Sequence, residues 1–240
     1  MRFLIWQMWQ LILVLSLAIT ASEAGAVTEC VVLLHGLARV SDSMSELESK
    51  MQRAGFSTAN INYPSRKGEI AELADKVVAS GIDQCTHQGA KKIHFVVHSL
   101  GGILVRQYLA EHHVNELGRV VMLGTPNQGA AIVDIFSEWS LFDLLGPSAK
   151  ALGTKDGGIV HSLGPVDFEL GVIAGNLSIN PLSTILLGES NDSVVTVAST
   201  RVKGMKEHLV LPVIHMLMMR DNEVIDHCIH FLKTGNFIPR

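Results

Sequence analysis

Three residues of this 240-residue chain have the side-chain types for hydroxyl-based acyl transfer and surroundings that could bring them together: Ser99, Asp192 and His215. A serine hydroxyl attacks poorly at neutral pH unless a base takes its proton, and the base works best when a carboxylate fixes its tautomer. Ser99 lies in Phe95-Val96-Val97-His98-Ser99-Leu100-Gly101-Gly102. The apolar run Ile93 to Val97 reads as a buried strand, and Ile103 to Leu109 carries helical spacing. Ser99 therefore falls on a strand-to-helix turn, which lifts a hydroxyl clear of the sheet beside unpaired helix amides. Such a turn leaves no room for a Cβ at Gly101. The competing reading is a plain strand-helix junction with an incidental serine.

Asp192 stands in Leu187-Gly188-Glu189-Ser190-Asn191-Asp192-Ser193-Val194-Val195, on a loop that follows sheet strands. Glu189 is the alternative acid, and an exposed Asn-Asp-Ser turn is the alternative to any role. Eleven histidines compete for the base. His215 directly follows Leu209-Val210-Leu211-Pro212-Val213-Ile214, so a strand end delivers it to the rim that holds Ser99. His94 lies inside a strand, His112 and His113 end a helix, and His208 precedes the last strand. His227 and His230 fall off the apolar stripe of the final helix. His98 is expected to point to the other side of the turn and to pack or hydrogen-bond locally.

The elements that must position these residues alternate. Cys30 to Leu34 is apolar throughout, as in a strand covered on both faces, and runs into His35-Gly36-Leu37. Ser41 to Ser43 caps a helix carrying Met44, Leu47, Met51 and Ala54 as far as Gly55. Phe56 to Tyr63 is a weaker strand, and Ile70, Leu73, Val77 and Ile82 line a second helix. After the Ser99 turn, Arg119 to Gly124 is a further strand leading to Thr125-Pro126-Asn127. This alternation predicts an α/β fold with a mostly parallel central sheet and helices on both faces. Ligands on such sheets bind at the carboxyl ends of strands, where both His35-Gly36 and Ser99 fall. Residues 128–168 break the rhythm with an amphipathic piece, Ile132 to Leu145, and many glycines. We expect a cap over the pocket there, the alternative being a surface insertion. Leu170 to Gly175 resumes the sheet, Thr184 to Leu187 is a short apolar run, and Leu209 to Leu211 is the last strand. Asp221 or Asn222 opens a closing helix striped by Val224, Ile225, Cys228, Phe231 and Leu232.

Composition narrows the classes. The chain is 48% hydrophobic and 18% charged, with a net charge of −4 and no basic stripe, which argues against nucleic acid as a partner. No histidine pair has metal-ligand spacing, and no cofactor motif is present, so neither a metal nor a cofactor is expected. Residues 1–26 read as a secretory signal, with small residues at Ser22, Ala24 and Ala26 near a cleavage point. An uncleaved membrane anchor is the alternative. The remaining span, 27–240, is expected to be one domain in a periplasmic or secreted protein. Export permits disulfides; Cys30 and Cys85 both fall at one end of the sheet and can pair, leaving Cys228 as a buried thiol.

The order Ser99, Asp192, His215 is that of one serine-triad fold. Taken with Leu33-Leu34-His35-Gly36-Leu37, Leu123-Gly124-Thr125-Pro126, Asn191 to Val195 and Leu211 to His215, the chain from about Cys30 to Leu232 resembles α/β-hydrolase fold lipases and esterases, specifically exported bacterial lipase-like proteins. It departs from their pattern at Val97, where the turn motif G-x-S-x-G has glycine, and at Ser193, where such lipases often have glycine. The resemblance implies an oxyanion hole made by the backbone N–H groups of Leu37 and Leu100.

The expected activity is hydrolysis of carboxylic, acyl or lipid esters through an acyl-enzyme on Ser99, with a small-molecule or lipid substrate met in solution or at a membrane surface. Ile132, Ile135, Phe136, Trp139, Leu141, Phe142 and Leu144 would favour an apolar acyl chain. The same residues could serve an acyltransferase, and the fold alone could serve a non-catalytic binding protein. The sequence does not specify the oligomeric state.

Overall fold

The computed structural model describes residues 28–136, 145–154, 158–188 and 190–239. The expected leader, residues Trp139, Leu141, Phe142 and Leu144 of the expected cap, and the alternative acid Glu189 lie outside them.

The apolar runs pair into a six-stranded sheet. Its strands are β1 (Glu29–Leu34), β2 (Ser57–Ile61), β3 (Lys92–His98), β4 (Leu117–Leu123), β5 (Leu170–Gly175) and β6 (Glu207–Leu211). Their order is β2-β1-β3-β4-β5-β6, with every described pairing parallel. After β2 the chain crosses back over β1, so β1 and β3 flank the point where the winding reverses. Loops leaving neighbouring strands in opposite directions open a crevice there, and the two loops are those carrying His35-Gly36 and Ser99.

Alternate side chains of each strand supply two cores. Val32, Leu34, Phe95, Val97, Val120 and Met122 meet helices α2 (Ile70–His87) and α3 (Leu100–Glu111). Val31, Leu33, Val96, Val121 and Ile173 meet α1 (Ser45–Arg53) and α8 (Asn222–Thr234) on the other face. The predicted stripe of α8, Val224 to Leu232, is wholly buried; a fully buried side chain of that size contributes about 1.5–3 kcal/mol. Asp221 caps the helix by accepting from Val224 N at 3.0 Å, and Gly235 ends it in the left-handed region.

Cys30, near the start of β1, and Cys85, on the last turn of α2, form a disulfide with Cα atoms 5.7 Å apart. It clamps α2 to the end of the sheet opposite the crevice. Cross-links that close a loop of 55 residues are worth about 4 kcal/mol in the chain-entropy account. Cys228 is buried and free.

Between β4 and β5 the described pieces are α4 (Ala131–Phe136), α5 (Pro147–Lys150) and α6 (Ile159–Ser162). The run Thr184 to Leu187 is helical, within α7 (Pro181–Leu187). Pro181 at its first position and Asn180 accepting from Leu182 N start it, and Gly188 stops it. The last strand begins two residues earlier than its apolar run and ends at Leu211, because Pro212 has no N–H to extend the ladder.

Candidate active site

Ser99 follows the last residue of β3 and precedes the first of α3, with φ 54° and ψ −118°. A non-glycine residue there stores strain of order 1–3 kcal/mol and persists only when its surroundings hold it. Ser99 N donates to Leu123 O at 2.9 Å, Thr125 Oγ1 donates to Ser99 O at 3.1 Å, and Gly102 N donates to the same carbonyl at 3.0 Å. Strand and helix close on each other at Gly101 and Gly102. A Cβ at 101 would lie 2.9 Å from Leu34 O, and one at 102 only 2.2 Å from Thr125 Oγ1. Val97 departs from the family pattern without disturbing this approach, because its side chain is buried in the core beneath α2 and α3.

Asp192, wholly buried, sits on the loop between α7 and β6. Its Oδ1 accepts from Val194 N at 3.0 Å and Val195 N at 2.8 Å, which leaves Oδ2 to accept from His215 Nδ1 at 2.7 Å. The backbone doubles the link, since His215 N donates to Asp192 O at 2.9 Å. The carboxylate therefore selects the Nδ1–H tautomer, with Nε2 left as the basic nitrogen. Ser193 has φ 85°, which explains why glycine suits that position; here the Ser193 hydroxyl accepts from Ile179 N at 3.1 Å. Ser99 and His215, 8% and 4% exposed, open on one cavity of about 180 Å³. Among the described residues no hydrogen bond joins the Ser99 hydroxyl to the His215 ring, a spacing that resting hydrolytic sites often show before substrate tightens them.

The loop after β1 is fixed from below. The His35 ring stacks on Tyr63 with centroids 4.0 Å apart, its Nε2 accepts from Tyr63 N at 3.3 Å, and Tyr63 Oη donates to His35 O at 2.5 Å. Burial pushes the His35 ring below the usual imidazole range, so it is a neutral strut. Ala38, also at positive φ, donates its N–H to Ser65 Oγ at 3.0 Å. The N–H groups of Leu37 and Leu100 have no acceptor among the described residues. Much of the cavity wall is apolar, from Leu37, Ile132, Val133, Leu152 and Val195.

The expectation for His98 is corrected. Its ring does not pack locally within the turn; Nε2 donates to His215 O at 3.0 Å and the two rings lie 4.6 Å apart. Burial first, then the neighbouring His215 ring, holds His98 well below the ordinary imidazole range. His227, off the apolar stripe of the last helix, is nonetheless buried and accepts from Ile238 N at 3.2 Å. His208 lies inside β6, where Nε2 meets Thr200 Oγ1 at 2.8 Å. Tyr63, Ser65 and His98 thus support the candidate site, a role the sequence analysis assigned to none of them. Their one signal was position, since each follows or ends a strand at the sheet's carboxyl edge.

The palmitoyl protein thioesterase family model matches residues 30–155. The chain belongs to that family. The matched stretch of the palmitoyl protein thioesterase family takes in the Ser99 turn and the Leu37 loop, and ends before Asp192 and His215. No curated protein matches the sequence. Solved structures do: Bacillus licheniformis lipase BlEst2 in its mature form is 21% identical, with a TM-score of 0.67 over 88% of this chain and 93% of that one. The propeptide form of the same lipase gives 20%, 0.72, 89% and 52% respectively. Aspergillus fumigatus lipase B gives 12% identity and a TM-score of 0.65 over 88% of this chain and 54% of that one. At these identities the likeness shows the α/β-hydrolase fold. Membership of the thioesterase family, on this fold, makes the chain a hydrolase.

Proposed function

We propose that this protein is an exported serine hydrolase that cleaves carboxylic acyl esters, and by the same steps thioesters, through an acyl-enzyme on Ser99. The observation that carries the reading is the buried Asp192–His215 pair opening on the cavity of a strained Ser99. In the proposed reaction the Ser99 proton passes to His215 Nε2 as Oγ bonds to the substrate carbonyl carbon. The oxyanion faces the unpaired amides of Leu37 and Leu100, donors of a kind worth about 2.7–4 kcal/mol each. Collapse breaks the bond to the leaving oxygen or sulfur, which takes the proton from His215. Water then repeats the sequence and frees the acid.

The apolar wall around Ile132, Val133 and Leu152 suits an acyl chain. The exposed side chains of Ile179, Leu182 and Ile185, around a helix that packs on α4, support substrate met at a lipid surface. Export is supported by the residue types of the leader and by the disulfide, which persists in oxidising compartments.

A fluorophosphonate probe should label the protein, and Ser99→Ala should abolish labelling and lower turnover of p-nitrophenyl acyl esters by about 10⁶. A folded wild type that neither reacts with the probe nor hydrolyses the esters would overturn the reading in favour of a binding protein.

A further inference from the structure

A second cavity, of about 400 Å³, adjoins the Leu37 loop, and Arg39 stands in the wall of both cavities. The rest of its charged wall is Arg66 and Lys67; no acidic residue lines it. Among the described residues none of these three cations has an ion-pair partner, and the Arg39 guanidinium donates a hydrogen bond only to Met216 Sδ, from Nη2 at 3.0 Å. The polar side chains between them also present donors. Asn62 spends its Oδ1 on Ser41 N at 3.2 Å, and its NH₂ has no acceptor among the described residues. Ser65 is only 3% exposed and accepts from Ala38 N, while its own proton has no acceptor among the described residues. In a chain of net charge −4, this gathering of positive charge and unused donors is a local device and does not follow from composition.

We infer that this cavity is a phosphate subsite on the leaving-group side of the cleft, so that the favoured substrates are acyl esters of a phosphorylated alcohol. The inference rests on the hydrolase reading above. At the attacked carbonyl the acyl chain and the alcohol diverge; the chain has the apolar cavity, and Arg39, which lines both cavities, joins it to the basic one. Leu37 and Arg39 are two residues apart, so their Cα atoms are separated by at most about 7 Å. A phosphate three carbons beyond the ester oxygen spans a distance of that order. The planar forks of Arg39 and Arg66 can each take two phosphate oxygens, and Lys67 adds a point charge.

The test uses the full chain and two soluble substrates below their micelle concentrations, 1-hexanoylglycerol and 1-hexanoylglycerol 3-phosphate. Wild type should favour the phosphate ester in kcat/KM by about tenfold, and Arg66→Gln/Lys67→Gln should cut that ratio to about two, the remainder resting on Arg39. Equal values in the wild type, or a preference undiminished by the double substitution, would overturn the subsite. So would a preference seen only on anionic vesicles, which would assign the charges to a lipid surface. If neither ester is cleaved, the reading as an oxygen-ester hydrolase fails and calorimetry with glycerol 3-phosphate decides the subsite separately. Binding that weakens about tenfold in the double variant supports it, and no binding by the wild type ends it.

Discussion

Each group at the Ser99 cavity is held by a neighbour whose own freedom has been removed. Asp192 reaches His215 with one oxygen because two amides occupy the other, and His98 fixes the backbone of the histidine that Asp192 fixes by its ring. A buried hydrogen bond of this kind is worth about 1 kcal/mol net, and misplacing a base costs rate before it costs stability. His98→Ala should therefore lower kcat on p-nitrophenyl esters about tenfold with little change in KM. His98→Gln, which keeps a donor near the His215 carbonyl, should recover most of the loss; equal defects in both would leave His98 a packing residue only. The placement of Ser99, Asp192 and His215 on exit loops of the sheet was legible in the sequence because strands and their exit loops announce themselves through apolar runs and turn residues. His98 was not, because the direction of a side chain leaving a strained turn depends on dihedral angles that residue types do not state. Gly124 is a similar case: at φ 54°, a Cβ there would stand 2.9 Å from His215 Nδ1 and 3.1 Å from Asp192 Oδ2, contacts between segments about 70 to 90 positions apart in the chain.

At the scale of elements, the sheet order and the helices on its two faces follow from continuous apolar runs alternating with helical stripes, which is why they could be read directly. The region between β4 and β5 could not, because its buried apolar residues, among them Val133, Leu152 and Val160, are too scattered to show a period and polar contacts tie its pieces together. Arg106, on α3 and only 4% exposed, is the clearest of these. Its Nη1 donates to Asn127 O at 3.0 Å and Asn127 Oδ1 at 3.2 Å, and its Nη2 to Gly164 O at 2.8 Å. It thereby ties the loop after β4 to the segment that leads into β5. Burial pushes the guanidinium down to about 10, still charged at neutral pH, with no carboxylate beside it among the described residues. Replacing it removes a costly buried charge and at the same time orphans three acceptors, each worth about 1–3 kcal/mol when buried unpaired. The second effect is the larger, so Arg106→Met should destabilise the protein by about 2 kcal/mol, read as a lower urea midpoint at unchanged slope. An unchanged midpoint would mean that water replaces the guanidinium at those carbonyls.

For the molecule as a whole, four histidines respond to pH in the same direction. Burial lowers His35 and His98 below their ordinary range, and lowers His94 and His208 to about 4, with Glu29 partly opposing the shift at His94. Around His98 the other nearby charges, on His215, Arg39 and His35, also disfavour a proton, and only the His215 carbonyl favours one. An unfolded chain protonates its histidines near pH 6.5. Above that pH neither state carries these protons and the four groups are indifferent to folding. Below it the unfolded chain takes up protons that the folded one refuses, so stability falls with falling pH by as much as about 1.4 kcal/mol per unit for each group, until the folded-state value is reached. Solvent relaxation and partial exposure of His208 reduce the sum. At about 2–4 °C per kcal/mol for a chain of this size, the melting temperature should be lower at pH 5 than at pH 7.5 by about 5 °C or more, and flat between pH 7 and 8. The loss should begin above the range in which carboxylates titrate, which separates it from ordinary acid unfolding. Replacing His208, the least buried of the four, with asparagine should flatten the slope by its share, and a melting temperature independent of pH from 7.5 to 5 would show that the buried rings accept protons without cost to the fold.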